Sequence, residues 1–542
     1  SFDNAGLMTR YESNGHVLRF QHDIGGMETL RALAAIGTPT AFQLEQRYDP
    51  AGRLAEQRAG GVAAFTTVRE APGALARHYE WDRVGRLTGT HETGEAPGRQ
   101  GRRRYHYDLR DQAQAVERPG QRESYRYDAL MNLAEGLAGE HKYWRDCVVE
   151  AGPNRFRYDA RGRMIERILT QDGFRPQRWR YRWDGFDRLV LLEGPGGARW
   201  RYTYDAFGRR TGKARIDVAD HRRTDYVWQG QTLAEAWHRR APTGDASPNE
   251  GLGDTRASPH KEWLRIERWH FEADGPRPLA KELVSAGKDG TPDCDDGRLQ
   301  PIVADQIGTP HALFDADGTL CWRADADLWG RTRTARALLR DRRDAKAGDG
   351  GTGDDDAHGC ALRFPGQWEE EEGGLHYSLN RSYDPETGQY LSPDPIGVQG
   401  GMRTHAYVHD SVHFMDPLGL AECKWGAWYA KKTGTTAPAG MPDPHAHHIV
   451  FKGNFSSKPD IQAALGRSRT VTSKYGIDPV NDPDALMWAP NQGHSTVNAQ
   501  SVASRLEAAD ARISGLSLPK ADATAAMKTE LQQIGQDVFG WP

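Results

Sequence analysis

The sequence predicts a mainly β chain, built as one long curving sheet of stacked hairpins and followed by a small α+β domain. Three observations carry this. A motif of the form aromatic-Asp-x-x-Gly-Arg recurs between Tyr48 and Arg210. The residues just ahead of each Asp alternate, as in Arg104-Tyr105-His106-Tyr107 and Arg201-Tyr202-Thr203-Tyr204, which is the period of a strand with aromatics on one face. Beyond Leu420 the motif stops, and four histidines stand in two short clusters.

In order, the motif reads Tyr48-Asp49-x-x-Gly52-Arg53-Leu54, Trp81-Asp82-x-x-Gly85-Arg86-Leu87, Tyr107-Asp108, Tyr127-Asp128, Tyr158-Asp159-x-x-Gly162-Arg163-Met164, Trp183-Asp184 with Arg188-Leu189, and Tyr204-Asp205-x-x-Gly208-Arg209. The Asp positions step by 33, 26, 20, 31, 25 and 21 residues, the length of one supersecondary unit. Asp followed three residues later by Gly turns the chain into the next strand. A single hairpin cannot bury its aromatic face, so consecutive hairpins must stack.

A chain of 542 residues exceeds what one core usually serves, so several domains are expected. A hydrophobic share of 37%, with 60 Gly and 19 Tyr, fits many turns and aromatic-rich strands. No run approaches eighteen apolar residues, so no helical membrane span is expected. No charged-then-apolar signal segment follows Ser1, so export is expected to use a route other than the general secretory one. The five cysteines, Cys147, Cys294, Cys321, Cys360 and Cys423, show no C-x-x-C spacing and read as free thiols of a protein made in a reducing cytoplasm. Residues 421–542 hold 12 Lys+Arg against 11 Asp+Glu within an overall charge of -4, so a nuclease here must grip phosphate locally. Residues 242–260 and 341–359 read as solvated loops, and Glu369-Glu370-Glu371-Glu372 as a solvated charge run.

The stretch that divides the chain is Asp394-Pro395-Ile396-Gly397, repeated as Asp416-Pro417-Leu418-Gly419-Leu420. Either copy alone is a turn signal. The pair, set at a change of sequence style, resembles the DPxG boundary of Rhs proteins, a family of polymorphic toxins. The resemblance extends through Leu362-Arg363-Phe364-Pro365-Gly366-Gln367-Trp368, Gly374-Leu375-His376-Tyr377 and 381–390, and through Asp305-Gln306-Ile307-Gly308-Thr309-Pro310, Asp315-Ala316-Asp317-Gly318-Thr319-Leu320 and Trp329-Gly330-Arg331. The hairpin motif is similar to the tyrosine-aspartate (YD) repeats of the same family, which implies a sheet spiralling into a hollow shell, or cocoon. The resemblance divides the chain into a YD-repeat shell (1–361), a closing segment with the DPxG site (362–420) and a C-terminal toxin (421–542).

It further implies that the boundary is a self-cleaving aspartyl peptidase, with Leu420-Ala421 as the scissile bond. Two carboxylates held together cannot both ionise, so one becomes an acid and the other a base. Asp394 and Asp416 are the candidates. Arg381 stands where the family has a supporting arginine, to hold either the pair or the scissile carbonyl. Turns with only a structural role are the competing reading.

In the tail, His445-Ala446-His447-His448-Ile449-Val450 fits a strand, and His494-Ser495-Thr496-Val497-Asn498 places His494 and Asn498 at i and i+4 on one helical face. Together with Tyr475-Gly476-Ile477-Asp478, Asn481-Asp482-Pro483 and Trp488-Ala489-Pro490, this resembles the AHH subfamily of HNH nucleases, a ββα-metal fold. The resemblance implies that His447, His494 and Asn498 ligate one divalent cation (Mg, Mn, Zn or Ni) and that His448 is the general base, with His445 a neighbour. Ala485 stands where the family has a middle Asn, leaving Asn481 or Asn491 to orient His448.

The expected function is a secreted antibacterial effector whose shell encloses, cleaves and delivers a metal-dependent DNase. The expected partners are DNA, an immunity protein, and a type VI secretion spike and chaperone bound through an N-terminal region outside this chain; the shell holds its own toxin, which acts in the target-cell cytoplasm. An RNA-cutting toxin and a non-enzymatic adhesion or carbohydrate-binding shell are the alternatives.

Overall fold

The computed structural model describes residues 1–3, 7–24, 26–62, 65, 75–93, 101–218, 221–241, 262–272, 275–285, 297–337, 359–397, 403–420, 444–450, 459–477, 485–490, 496–516 and 518–539. Among these the chain is mainly β. A 10-stranded and an 18-stranded antiparallel sheet each pair their strands in sequence order, and a 4-stranded and a 2-stranded sheet follow. The two large sheets are successive parts of one meander. Strand Gln121–Ser124 closes the first and Arg126–Tyr127 opens the second, with the Tyr125 amide still donating to the Gln114 carbonyl at 2.8 Å.

Each repeat motif builds the same tight turn. At Asp49 the side chain accepts from the amides of Ala51 and Arg53, while Gly52 N–H donates to the Asp49 carbonyl and Gly52 takes φ 74°. The same turn forms where the sequence lacks the glycine: Asp111, Met131 and Asp187 adopt φ 62°, 64° and 62° at the equivalent position. The arginine and the aromatic then join one unit to the next. Nε of Arg53, Arg86, Arg163, Arg188 and Arg209 donates to the turn's own Asp at 2.7 Å. Arg53, Arg163 and Arg188 reach on with Nη1 to the backbone carbonyls of Asp82, Asp184 and Asp205 in the following turns. Arg53 also lies over Trp81, Arg86 over Tyr107 and Arg188 over Tyr204. In return, the aromatics Trp81, Tyr107, Tyr127, Tyr158, Trp183 and Tyr204 donate backward, at 2.7–3.0 Å, to the carbonyls of Leu54, Leu87, Ala113, Val148, Met164 and Leu189. The motif is therefore a ladder between hairpins as well as a turn within each.

The apolar faces of the two sheets meet. Leu18, Leu33, Phe42 and Leu44 of the early strands pack with Leu279, Val303, Phe314 and Leu320 of the late ones. Ion pairs cross the same seam, Arg323 with Glu92 and Arg118 with Asp325, both at 2.6 Å. The closing segment packs against strands of both sheets: Trp368 and Tyr377 with Tyr226 and Trp269, Leu375 and Leu391 with Tyr181 and Tyr202, and Val412 with Tyr79 and Leu87.

The glutamate run departs from its expected solvation. Glu370 is 1% exposed and pairs with the equally buried Arg210, whose guanidinium is stacked on Tyr202 and Tyr377. Glu372 accepts from Lys213 at 2.9 Å and from Tyr202 at 3.0 Å. Two carboxylates of the run thus fasten the closing segment to the wall. The expected loops at 242–260 and 341–358 lie outside the described residues. Cys147, Cys321 and Cys360 are free and buried.

In the tail, strand Pro444–His448 pairs antiparallel with Leu486–Pro490, and three helices follow the pattern of their apolar residues: α1 (Pro459–Lys474), α2 (Thr496–Gly515) and α3 (Lys520–Phe539). Val502, Leu506, Ala509 and Ile513 recur on one face of α2, and Met527, Leu531 and Ile534 on one face of α3. These bury Ile449, Val450, Ala485 and Met487 in one core. No described helix is long and apolar enough to cross a membrane.

Candidate active site

The closing segment folds as a small sheet of strands Trp368–Glu370, Leu375–Tyr377, Ser382–Asp384 and Gln389–Tyr390. Arg381 ends the turn before the third strand, where its carbonyl accepts from the Ser378 amide. Both Asp-Pro-x-Gly copies form turns, with Gly397 at φ 61° and Gly419 at φ 69°. Their Asp side chains grip the backbone differently: Asp394 Oδ1 accepts from Ile396 N–H at 2.9 Å, and Asp416 Oδ1 from Leu420 N–H at 3.0 Å. A Cβ on Gly366 would overlap the Pro417 carbonyl, so the Phe364-Pro365-Gly366 turn packs directly on the second copy.

The two turns bring Asp394 and Asp416 onto one guanidinium. Arg381 Nη2 lies 3.0 Å from Asp394 Oδ2 and 3.3 Å from Asp416 Oδ2, and all three side chains are at most 3% exposed. Arg381 Nε donates to the Gly419 carbonyl at 2.5 Å and Nη1 to the Thr404 carbonyl at 3.0 Å. Of the two holding roles open to Arg381, the structure therefore shows the pair, together with the backbone one residue before Leu420. Asn380 adds a clamp, donating from its side chain to the Leu418 carbonyl at 2.9 Å. Tyr390 donates to Asp416 Oδ2 at 2.9 Å, and the Arg381 guanidinium sits 3.7 Å over its ring.

Two carboxylates against one cation in a buried site favour retention of one proton. Burial raises the pKa of Asp394 and the neighbouring Asp416 adds to this, outweighing Arg381 and the Ile396 amide. Asp416 accepts from Tyr390, Arg381 and the Leu420 amide, the donor set that stabilises a carboxylate. The two carboxylates thus sit in unequal surroundings, with the backbone of 418 and 419 held beside them by Asn380 and Arg381. Leu420 is described; Ala421 lies outside the described residues.

Sequence reasoning did not single out Tyr390 or Asn380. Asn380 adjoins Arg381, and Tyr390 follows Gln389 in a strand next to the one Arg381 leads into, so adjacency to the supporting arginine was the available signal.

The tail candidates are placed only in part. His447 and His448 lie on a strand, opposite Met487 and Leu486 in register, and Asn498 stands half-buried in the first turn of α2. Residues 491–495, including His494, lie outside the described residues. Asn481 and Asn491 lie outside them too. Ala485 is fully buried and its carbonyl accepts from Ile449 N–H at 3.0 Å, so that position serves the core and the strand. Helix α3 sets the strand pair by close contact at Gly535, where a Cβ would meet Ile449 and Met487, and by the Gln532 side chain donating to the Leu486 carbonyl. Among the described residues, no cluster of three His, Cys, Asp or Glu forms a metal site.

A meander of laddered hairpins, closed by a segment that holds a buried arginine between two carboxylates, defines a mainly β shell-type protein. Residues 183–215 match the RHS Repeat family and 302–336 the RHS protein family. The chain belongs to the Rhs/YD-repeat family. It is 32% identical over 419 residues to the probable deoxyribonuclease RhsB of Dickeya dadantii (strain 3937), covering 76% of this chain and 25% of that protein. It is 29% identical over 449 residues to the toxin protein Tse5 of Pseudomonas aeruginosa, covering 74% and 31%. It is 27% identical over 442 residues to the double-stranded DNA deaminase toxin A of Burkholderia cenocepacia (strain H111), covering 76% and 27%. The chain spans about a quarter of the length of the curated relatives it matches. Among solved structures, the crystal structure of TcdB2-TccC3 aligns with a TM-score of 0.48 at 16% identity, over 78% of this chain and 22% of that one.

Proposed function

We propose that this chain is the self-processing part of a secreted Rhs toxin, which cuts itself after Leu420 and releases residues 421–542 as a metal-dependent nuclease. The observation that carries the reading is the shared guanidinium of Arg381 between Asp394 and Asp416, with the backbone at 418–420 clamped beside it. Asp416, ionised, takes a proton from water as the water oxygen bonds to the Leu420 carbonyl carbon. Asp394, protonated, gives its proton to the carbonyl oxygen, and a gem-diol forms. Asp416 then passes its proton to the Ala421 nitrogen as the C–N bond breaks, and one diol hydroxyl returns a proton to Asp394. Water is added, and both carboxyls end as they began.

Relatives that share the matched region carry different activities in their names, a deoxyribonuclease and a DNA deaminase. The chemistry of the tail therefore rests on the tail's own residues. His447, His494 and Asn498 would hold one divalent cation; two imidazoles and an amide oxygen suit a borderline ion, and the strand and helix that carry His447 and Asn498 belong to elements of one core. The cation, when bound, polarises the phosphate and stabilises the leaving oxygen. His448 takes the proton from the attacking water.

The shell holds the cut toxin until delivery through a type VI secretion spike and chaperone, an immunity protein protects the producer, and the toxin acts on DNA in the target-cell cytoplasm. Incubating the released segment with plasmid and each divalent cation tests this. Cleavage that EDTA abolishes is the expected result; no cleavage of DNA with any cation, alongside cleavage of RNA, would replace the substrate.

A further inference from the structure

Within the self-cleavage reading, on which this inference rests, the two carboxylates differ in their surroundings, and one side chain makes most of the difference. Asp394 and Asp416 share Arg381 Nη2, and each accepts one backbone amide, Ile396 and Leu420 respectively. Among the described residues, no hydroxyl plays the part of Tyr390 at Asp394. Its hydroxyl donates to Asp416 Oδ2, the same oxygen that faces Arg381, at 2.9 Å. Its ring lies against the guanidinium at 3.7 Å from the ring centre, on a strand whose Tyr390 amide is held by the His405 carbonyl. The ring is itself wedged by Tyr383 and Tyr407, with centroids at 5.8 and 5.9 Å.

We infer that Tyr390 is a positioning residue that assigns the roles of the pair, fixing Asp416 as the ionised base and leaving the proton on Asp394. A phenol so placed has one proton to give and gives it to Asp416. Burial, and next the charge of Asp416, push the Tyr390 pKa well above its ordinary value, so the hydroxyl remains a donor across the working pH range. Among the described residues, Arg381, Asp394, Tyr390 and, through the Asp416 amide, the hydroxyl of Tyr407 face Asp416. Arg381 attracts both carboxylates, whereas the Tyr390 hydroxyl bonds to Asp416.

Losing a hydrogen bond to a charged acceptor changes the balance by the equivalent of about 1 to 2 pH units. The direction follows from the role: without the donor, Asp416 holds its proton more tightly, and the base is ionised only at higher pH. Tyr390→Phe keeps the ring against Arg381 and removes only the hydroxyl. The full chain is made by cell-free translation, synthesis is stopped, and aliquots are moved to buffers from pH 4 to pH 9, with the appearance of the Ala421 N-terminus followed over time. The acidic limb of the Tyr390→Phe rate profile is expected to move up by about 1 to 2 pH units, so that cleavage is about 10- to 100-fold slower on that limb and approaches the parent rate above it. A merely structural tyrosine would lower the rate equally at every pH, and that result overturns the assignment. So does an unchanged profile. Asp394→Asn and Asp416→Asn run in parallel: if both still cleave, the self-cleavage reading itself falls, whereas cleavage lost in both with a parent-like Tyr390→Phe profile sinks the role of Tyr390 alone.

Discussion

Replacing Arg210 by Met is expected to loosen the closing segment from the wall. Arg210 and Glu370 are each 1% exposed and pair with one another, and Arg210 Nη2 also donates to the Tyr204 hydroxyl at 3.1 Å. Arg210→Met leaves the Glu370 carboxylate buried without that partner, and breaking a buried pair from one side costs about 3 to 5 kcal/mol. Unfolding entropy of about 2.1 cal/mol/K per residue, over roughly 400 shell residues, gives about 0.8 kcal/mol per degree. The single substitution is therefore expected to lower the thermal midpoint of the shell by about 3 to 6 °C. The double variant Arg210→Met/Glu370→Leu removes both charges and is expected to recover most of that loss, because the pair's desolvation disappears with it. Differential scanning calorimetry of parent, both single variants and the double variant closes the cycle. A single variant within about 1 °C of the parent, or a double variant whose loss equals the sum of the singles, would refute the reasoning.

Three further outcomes are expected. Burial acts to raise the Glu282 pKa, but hydrogen bonds from His270 and Ser13 and the charge of Arg268 outweigh it and hold the group at about 2. A carboxyl held below its unfolded value of about 4.5 contributes stability above that pH, of order 3 kcal/mol, and loses it as pH falls toward about 2; thermal melts from pH 6 to pH 2 should show a steeper acid loss in the parent than in Glu282→Gln. Met131 holds φ 64° at a turn position where other units have Gly, and its carbonyl accepts from Arg403. Met131→Gly keeps that bond and should raise stability by about 0.5 to 1 kcal/mol, read as a higher melting temperature. In the released segment, His448→Ala should lower nuclease activity by about 10² to 10⁴ while leaving metal affinity near the parent's, whereas His447→Ala should lower both; calorimetric titration with the cation separates the two.

How much was legible differs by feature. The repeat was legible because its turn residues are chemically distinctive, and the Asp, Gly and aromatic each do a backbone job that spacing reveals. The units at Asp108, Asp128 and Asp184 were legible from the aromatic-Asp pair alone, since Asp111, Met131 and Asp187 accept the strained φ that neighbouring bonds impose. The reach of Arg53 to the Asp82 carbonyl was not legible, because it depends on the lateral spacing of hairpins and leaves no trace in local pattern. Glu370 and Glu372 read as solvated because a charge run usually is; their partners Arg210 and Lys213 lie far away in sequence. At the candidate site, Arg381, Asp394 and Asp416 came from the resemblance, and their convergence on one nitrogen is a tertiary fact. Tyr390 was hidden among many tyrosines of a strand-rich chain, since only the fold distinguishes the ring that backs the arginine. In the tail, the strand with His447 and His448 and the helix with Asn498 were legible from local residue pattern.

The most direct test of the central claim is intact-mass analysis, with N-terminal sequencing, of the purified parent, Asp394→Asn and Asp416→Asn proteins. The account expects the parent to yield two pieces, 1–420 and 421–542, that co-elute under native conditions, and each variant to remain one full-length chain, because an amide can neither share the proton nor activate water. A new N-terminus at Ala421 in both variants would contradict it and assign the cut to an outside protease.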